Sequence, residues 1–209
     1  MTTSKWAEWA RKLQALSQTG LYFTKDNPFE QERYAAVRDI AEDIVVEYSN
    51  LTHEEVRSYN AAEFGYATPK VDVRGIIFRD DTILLISEKM DGGRWTPPGG
   101  WADVNDAPSE AVEREVLEES GFEAKVLKLM ACYDRDRQGH KPPLPVHVYK
   151  LFFLCEITGG AAQPTAEAAD VQFWPVNALP ELSTSRITAR QILHFYHRLR
   201  HADAPTEFD

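Results

Sequence analysis

Cysteine is scarce in this 209-residue chain. Only Cys132 and Cys155 occur, with no C-x-x-C pair and no Cys/His spacing of a zinc site. A disulfide framework and a thiolate metal centre are both disfavoured, and two buried free thiols are expected, as suits a reducing compartment. Long apolar runs are missing too. ILLI at 83–86 and LFFL at 151–154 fall far below the ~18 residues of a membrane span. The opening MTTSKWAEWA lacks the apolar core of a signal peptide, so a soluble, cytoplasmic protein is expected. Positive charge is in deficit: 23 Lys and Arg face 33 Asp and Glu, a net charge of −10. That balance argues against DNA and anionic membranes as partners. It leaves room for a small polyanionic substrate, because a divalent cation can bridge two sets of negative charge. No internal repeat or low-complexity stretch is visible.

What is present suffices for a sizeable core, with 43% hydrophobic residues and 11% aromatics. Residues 4–64 read as helical. Trp6, Trp9, Leu13 and Leu16 recur at helical spacing and are expected to pack, with Gly20 as a stop. Asn27-Pro28-Phe29-Glu30 has the form of a helix start, and Thr52 with Glu55 offers a second capping box. The pattern changes near Ala67-Thr68-Pro69. KVDVRGIIF begins with period-two alternation, Asp80-Asp81 suits a hairpin turn, and TILLISE is the return strand. Residues 107–120 read as a helix ending at Gly121. EAKVLKLMACY, VHVYKLFFLCEI and VQFWPV read as strands, STSRITARQILHFYHRLR as a closing helix, and ADAPTEFD as a loose tail. Two domains are expected: a small all-helical one over 1–66, and an α/β one over 67–209 with helices packed on a sheet.

The helix at 107–120 poses a problem. Glu110, Glu113, Glu115, Glu118 and Glu119 face one opposite charge, Arg114. At about 100° per residue, with Glu115 at zero, Glu119 falls near +40° and Glu118 near −60°. Ala111, Val112 and Val116 share that arc, so three glutamates lie on or beside the inward stripe. Buried carboxylates without counter-charge are costly. A hard divalent cation with oxygen ligands answers the need, and Mg²⁺ is the usual one where phosphates complete its shell. The preceding TPPGGW carries two glycines that let backbone carbonyls approach a ligand.

From Gly100, the residues run five to Asp106, seven more to Arg114-Glu115-Val116-Leu117-Glu118-Glu119-Ser120-Gly121-Phe122. This resembles the Nudix hydrolase motif G-x5-E-x7-R-E-U-x-E-E-x-G-U, with U a bulky apolar residue, at every fixed position except Asp106, where the family has Glu. The likeness extends over residues 67–200. It implies an α/β/α sandwich around a mixed sheet. The implied reaction is hydrolysis of a nucleoside diphosphate linked to X, giving a nucleoside monophosphate and X-phosphate. It also implies Mg²⁺, with Mn²⁺ as a substitute, held by Glu115, Glu118, Glu119 and the Gly99 carbonyl. Glu115 or Glu119 would help deprotonate water, and Arg114 would orient the cluster through the acid at 106. LQALSQTGLYFTKDNPFEQERY resembles the N-terminal extension of a Nudix subgroup that includes CDP-choline and ADP-ribose pyrophosphatases, which implies a homodimer and a part in building the substrate pocket.

Outside the motif, Arg74 could reach a phosphate or form a surface ion pair. Arg135 and Arg137 lie in the proline-containing loop 134–147 and could equally border the substrate or form a solvated charge run; Glu167 is the best acid outside the motif for a role in catalysis or at a third metal, with a plain loop carboxylate the favoured alternative. His194, His197 and His201 on the last helix read as surface histidines. Two other functions compete: a nucleotide sensor that regulates a partner, and an RNA-end pyrophosphohydrolase. All three motif glutamates being present argues against the first, and the lack of a basic track against the second.

Overall fold

The structure, a computed structural model, describes residues 4–61, 63, 65–199 and 204–209. They form two compact units, Met1–Lys70 with Pro143–His147 and Val71–Pro142 with Val148–Asp209. None of the described helices is long and apolar enough to cross a membrane.

The first unit is helical: α1 (Lys5–Phe23), α2 (Pro28–Tyr48) and α3 (His53–Ala61). Asn27 caps α2, its Oδ1 accepting from Phe29 N at 3.1 Å and Glu30 N at 3.3 Å, with Pro28 in the first turn. Thr52 and Glu55 close the capping box of α3. Gly20 does not stop α1, which continues to Phe23. Its role is close approach: a Cβ there would come within 2.4 Å of the Tyr34 ring. The buried face of α1 is made of Ala7, Ala10, Ser17 and Gly20. Trp9 and Leu16, expected to pack, are exposed instead, as are Phe23, Phe29, Ile40 and Tyr48. Small residues let α1 and α2 approach closely, which turns the large side chains outward.

The second unit is an α/β/α sandwich. One sheet has the order β1 (Lys70–Ile76), β6 (Val148–Gly160), β5 (Phe122–Asp134), β8 (Glu207–Phe208). The other joins β2 (Phe78–Arg79), β3 (Thr82–Glu88) and β4 (Arg94–Thr96), with β7 (Ala168–Pro175) on the free side of β3. The first sheet is mixed, since β5 runs antiparallel to β6 and parallel to β8. Period-two alternation separates two cores. Leu84 and Ile86 of β3 join Val73, Phe153 and Cys155 under α4 (Pro108–Ser120), through Ala111, Val112 and Val116. Ile83 and Leu85 face the other way and join Phe152 and Tyr133 under α5 (Ala189–Arg198), through Ile192 and Phe195.

Two expectations fail here. The tail is not loose: Glu207–Phe208 pair with Ala131–Cys132, and Thr206 Oγ1 donates to Leu129 O at 2.8 Å. Nor is 134–147 one open loop. It contains a 3₁₀ turn at Arg135–Gln138, begun by Asp134 accepting from Asp136 N, and its residues 143–147 belong with the helical unit.

Candidate active site

Pro108 opens α4, where a missing N–H costs nothing, and Gly121, at φ 76°, ends it by donating to Leu117 O at 2.9 Å. Burial of Ala111, Val112 and Val116 fixes the rotation of the helix and carries Glu115 and Glu119 against the turn at 97–102. That turn is laid along β1. Gly75 N donates to Pro98 O at 2.9 Å, Val73 N to Gly100 O at 2.8 Å, and Ala102 N to Val71 O at 3.0 Å. The Gly99 carbonyl lies outside this ladder.

Both glycines are required by close approach. A Cβ on Gly99, at φ 141°, would fall 2.1 Å from Val73 O, and one on Gly100 would fall 2.9 Å from Glu115 Oε2. The Gly99 amide donates to Glu119 Oε2 at 2.6 Å. Glu119 is 4% exposed, and burial pushes its pKa up to about 7, against the pull of Arg74 and the Gly99 amide; Glu115 and Glu88 add to the rise. Burial raises Glu115 too, with Arg114 opposing.

Arg114 gathers the remaining acids. Its Nε lies 3.2 Å from Asp106 Oδ2, its Nη1 3.0 Å from Glu115 Oε1 and 2.9 Å from Glu118 Oε2, and its Nη2 3.2 Å from Asp103 Oδ2. The shorter Asp106 therefore still reaches the arginine, with Asp103 as a further partner. Burial works against the guanidinium charge, but Glu118 and Asp106 drive its pKa above the ordinary arginine value. Among the described residues, no three His, Cys, Asp or Glu side chains converge on one point. The cause is visible: Glu115 and Glu118 lean onto Arg114, while Glu119 caps the Gly99 amide. Asp103, Asp106, Glu115 and Glu118 nonetheless share one arginine, and Arg74, whose charge acts on Glu119, is already bonded to Asp72. The donors are all oxygen, the set a hard divalent ion takes.

The residues expected outside the motif lie elsewhere than as free substrate contacts. Arg74 is 4% exposed: Nε and Nη2 hold Asp72 at 3.1 and 2.8 Å, and Nη1 donates to Pro97 O at 3.3 Å. Asp72, two residues along the same strand face, holds the guanidinium, so the ion pair expected at the surface is buried. Arg135 is buried as well and donates to Ser185 O, Pro142 O and Asp136. It ties its 3₁₀ turn to neighbouring loops rather than presenting a cation. Arg137 is on the surface, 3.7 Å from Asp134. Glu167 is exposed, and its carbonyl accepts from Lys89 N at 3.1 Å, beside the β3 end that carries Glu88. His194 pairs with Glu207 at 2.8 Å; His201 lies outside the described residues.

The sequence alone assigned no role to Asp72, Lys150, Glu88 or His140. Lys150 Nζ donates to Asp72 Oδ1 at 2.5 Å. Burial alone would raise Asp72, but Arg74 and Lys150 bring it down to about 2. The available signal was Lys150 itself, a charge inside the apolar VYKLFFL run.

Residues 4–59 match a family model described as "UDP-X-like, N-terminal oligomerisation domain", and residues 68–196 match one described as "NUDIX domain". The chain is 38% identical over 206 residues to the Bacillus subtilis "Putative ADP-ribose pyrophosphatase YjhB", covering 99% of this chain and 98% of that protein. It is similar to a solved "UDP-X diphosphatase", at 34% identity and TM-score 0.62, with both chains covered in full. A Streptococcus suis structure described as an ADP-ribose pyrophosphatase gives 35% identity and TM-score 0.61, covering 68% of this chain and all of that one.

Proposed function

The chain belongs to the Nudix hydrolases and is a pyrophosphohydrolase, and on that premise we propose that it cleaves nucleoside diphosphates linked to X, with ADP-ribose and UDP-linked compounds foremost. The observation that carries this reading is the pair of carboxylates, the buried Glu119 and the half-buried Glu115, set against the Gly99–Gly100 turn. Nudix hydrolases generally use divalent metals, and the oxygen-rich acid cluster fits one. Mg²⁺ is the proposed ion, with Mn²⁺ able to replace it, and Glu115, Glu118, Glu119 and the Gly99 carbonyl would hold it. When bound, it supplies charge neutralisation at the pyrophosphate and lowers the pKa of water.

The chain's own residues do the rest. Water adds to one phosphorus as the bond from that phosphorus to the bridging oxygen breaks, and the water proton passes to a carboxylate oxygen of Glu115 or Glu119. The bridging oxygen leaves with the other phosphoryl group, so the products are a nucleoside monophosphate and X-phosphate. Arg114 holds Asp103 and Asp106 and thereby sets the face that α4 turns to the reaction. Glu167, beside Glu88, is the proposed acid from outside the helix. A panel of ADP-ribose, UDP-sugars, CDP-choline and nucleoside triphosphates with Mg²⁺, read by chromatography, tests this. The expected products are NMP and X-phosphate without orthophosphate; pyrophosphate released from a triphosphate as the fastest reaction would overturn the substrate class.

A homodimer is part of the proposal. The oligomerisation-domain match over 4–59 and the outward Trp9, Leu16, Phe23 and Phe29 support it. Light scattering on the intact chain should give twice the 23.8 kDa chain mass; a monomer at micromolar concentration would refute it.

A further inference from the structure

Among the described residues, the most deeply buried charges of the α/β unit, Lys150 and Arg135, lie off the acidic helix. Lys150 is 2% exposed, two residues along β6 from Phe152 of the second core. Removing an ammonium from water is costly, and burial brings its pKa down to about 7 even with Asp72 alongside. Asp72 has no need of it for neutrality, because Arg74 already grips both carboxylate oxygens. Arg135 is close enough to add to the positive side. A second cation on a satisfied carboxylate, in a setting already rich in positive charge, calls for a purpose beyond balance.

Geometry supplies one. Lys150 and Arg74 approach Asp72 from two strands, β6 and β1, so the carboxylate is held from both sides. Its fixed oxygens fix the arginine fork, leaving Nη1 aimed at the Pro97 carbonyl, 3.3 Å away. Pro97 opens the turn. Pro98 and Gly100 are tied to β1 by their carbonyls, and the intervening Gly99 offers its amide to Glu119. A continuous set of bonds thus runs from Lys150 through Asp72 and Arg74 to Pro97, and along three residues of chain to the Glu119 carboxylate.

We propose that Lys150 is a positioning residue: through Asp72 it fixes Arg74, and Arg74 fixes the Pro97–Gly100 turn that presents Gly99 to Glu119. Its bearing on turnover rests on the pyrophosphohydrolase reading above, whereas its bearing on the Gly99 amide does not. Lys150→Met in the full chain, close in size but without the charge, is the test. Hydrogen exchange at the Gly99 amide should quicken by about tenfold while Leu84 and Leu85 in β3 keep their protection, since only a local opening is made easier. On whichever compound the unaltered protein cleaves, kcat should fall by about tenfold with KM within about twofold, as expected of a supporting contact. Lys150→Arg, which keeps a cation on Asp72, should recover most of both. Unchanged Gly99 exchange in Lys150→Met overturns the proposal whatever happens to activity. So does a quickening shared equally by Gly99, Leu84 and Leu85, which would mark Lys150 as packing alone. If the Met variant does not fold, Arg74→Lys decides in its place: it keeps the charge but loses the fork, and a fully protected Gly99 there overturns the proposal. A protein that cleaves nothing in the substrate panel would sink the function above and leave the exchange result standing.

Discussion

Glu119→Gln is expected to lower turnover at saturating Mg²⁺ by at least about a hundredfold, roughly 2.7 kcal/mol of barrier, while stabilising the metal-free protein at alkaline pH. The two effects share one cause. Glu119 sits against Gly99 with its pKa raised to about 7, from an ordinary 4.5. The folded protein therefore binds a proton more tightly than the unfolded chain. That contribution is fully present below pH 4.5 and is lost as pH rises through 7, so above pH 7 the ionised carboxylate is a burden on the fold. A shift of this size corresponds to about 3 kcal/mol. Glutamine keeps an oxygen for the Gly99 amide and removes the charge. Urea melts in EDTA from pH 4 to 9 should show the variant gaining on the unaltered protein as pH rises. Near-normal turnover, or a variant no more stable at pH 8 than at pH 4.5, would refute this account of the site.

His140→Gln is expected to abolish an acid lability that Glu119 masks. His140 is buried, with Nδ1 3.2 Å from Thr184 O and Nε2 3.3 Å from Gln191 Nε2. Both contacts suit a neutral ring that donates to the carbonyl and accepts from the amide. Burial, reinforced by Lys150 and Arg135, brings its pKa down to about 3 from 6.5. Unfolding lets it take up a proton, so its stabilising contribution is complete above pH 6.5 and falls toward pH 3, by up to about 1.4 kcal/mol per pH unit. Between pH 4.5 and 6.5 Glu119 pulls the opposite way, and the unaltered protein should look nearly flat. Glu119→Gln should expose a loss of about 2–3 kcal/mol across that interval on acidification, and adding His140→Gln should remove it. Equal slopes in the single and double variants, measured by urea midpoints, would rule out His140 as the source.

Much of this was legible along the chain because it rests on local chemistry. The caps at Asn27 and Thr52, the hairpin at Asp80–Asp81 and the α4 helix between Pro108 and Gly121 each follow from a few adjacent residues. The fixed spacing from Gly100 to Phe122 pointed to the helix and turn that the fold sets side by side. What failed to show depends on separation. Asp72 and Lys150 stand 78 residues apart, and nothing near either announces the other. Asp72 and Arg74 sit at alternate positions of β1, as surface charges would, yet both are buried, with Lys150 against Asp72 and the Pro97 carbonyl against Arg74. Gly20 carried the mark of a helix end, but the demand on it comes from Tyr34 across the helix pair.

The two-residue strand β8 has a consequence for handling the protein. β5 is paired with β6 along its length, and on its other side, among the described residues, only Ala131 and Cys132 find a strand partner, in Glu207 and Phe208. Glu207 is held by Tyr133 Oη, His194 and Arg198, so the short segment is anchored well beyond its two backbone rungs. Stripped of residues 204–209, the sheet would present a bare rim with unpaired amides and carbonyls and the outward Leu127 beside them. Such a rim recruits extended segments from other molecules. Protease nicking near Ala204 would therefore convert a stable sheet border into a nucleus for aggregation, with the carboxylates of α4 untouched.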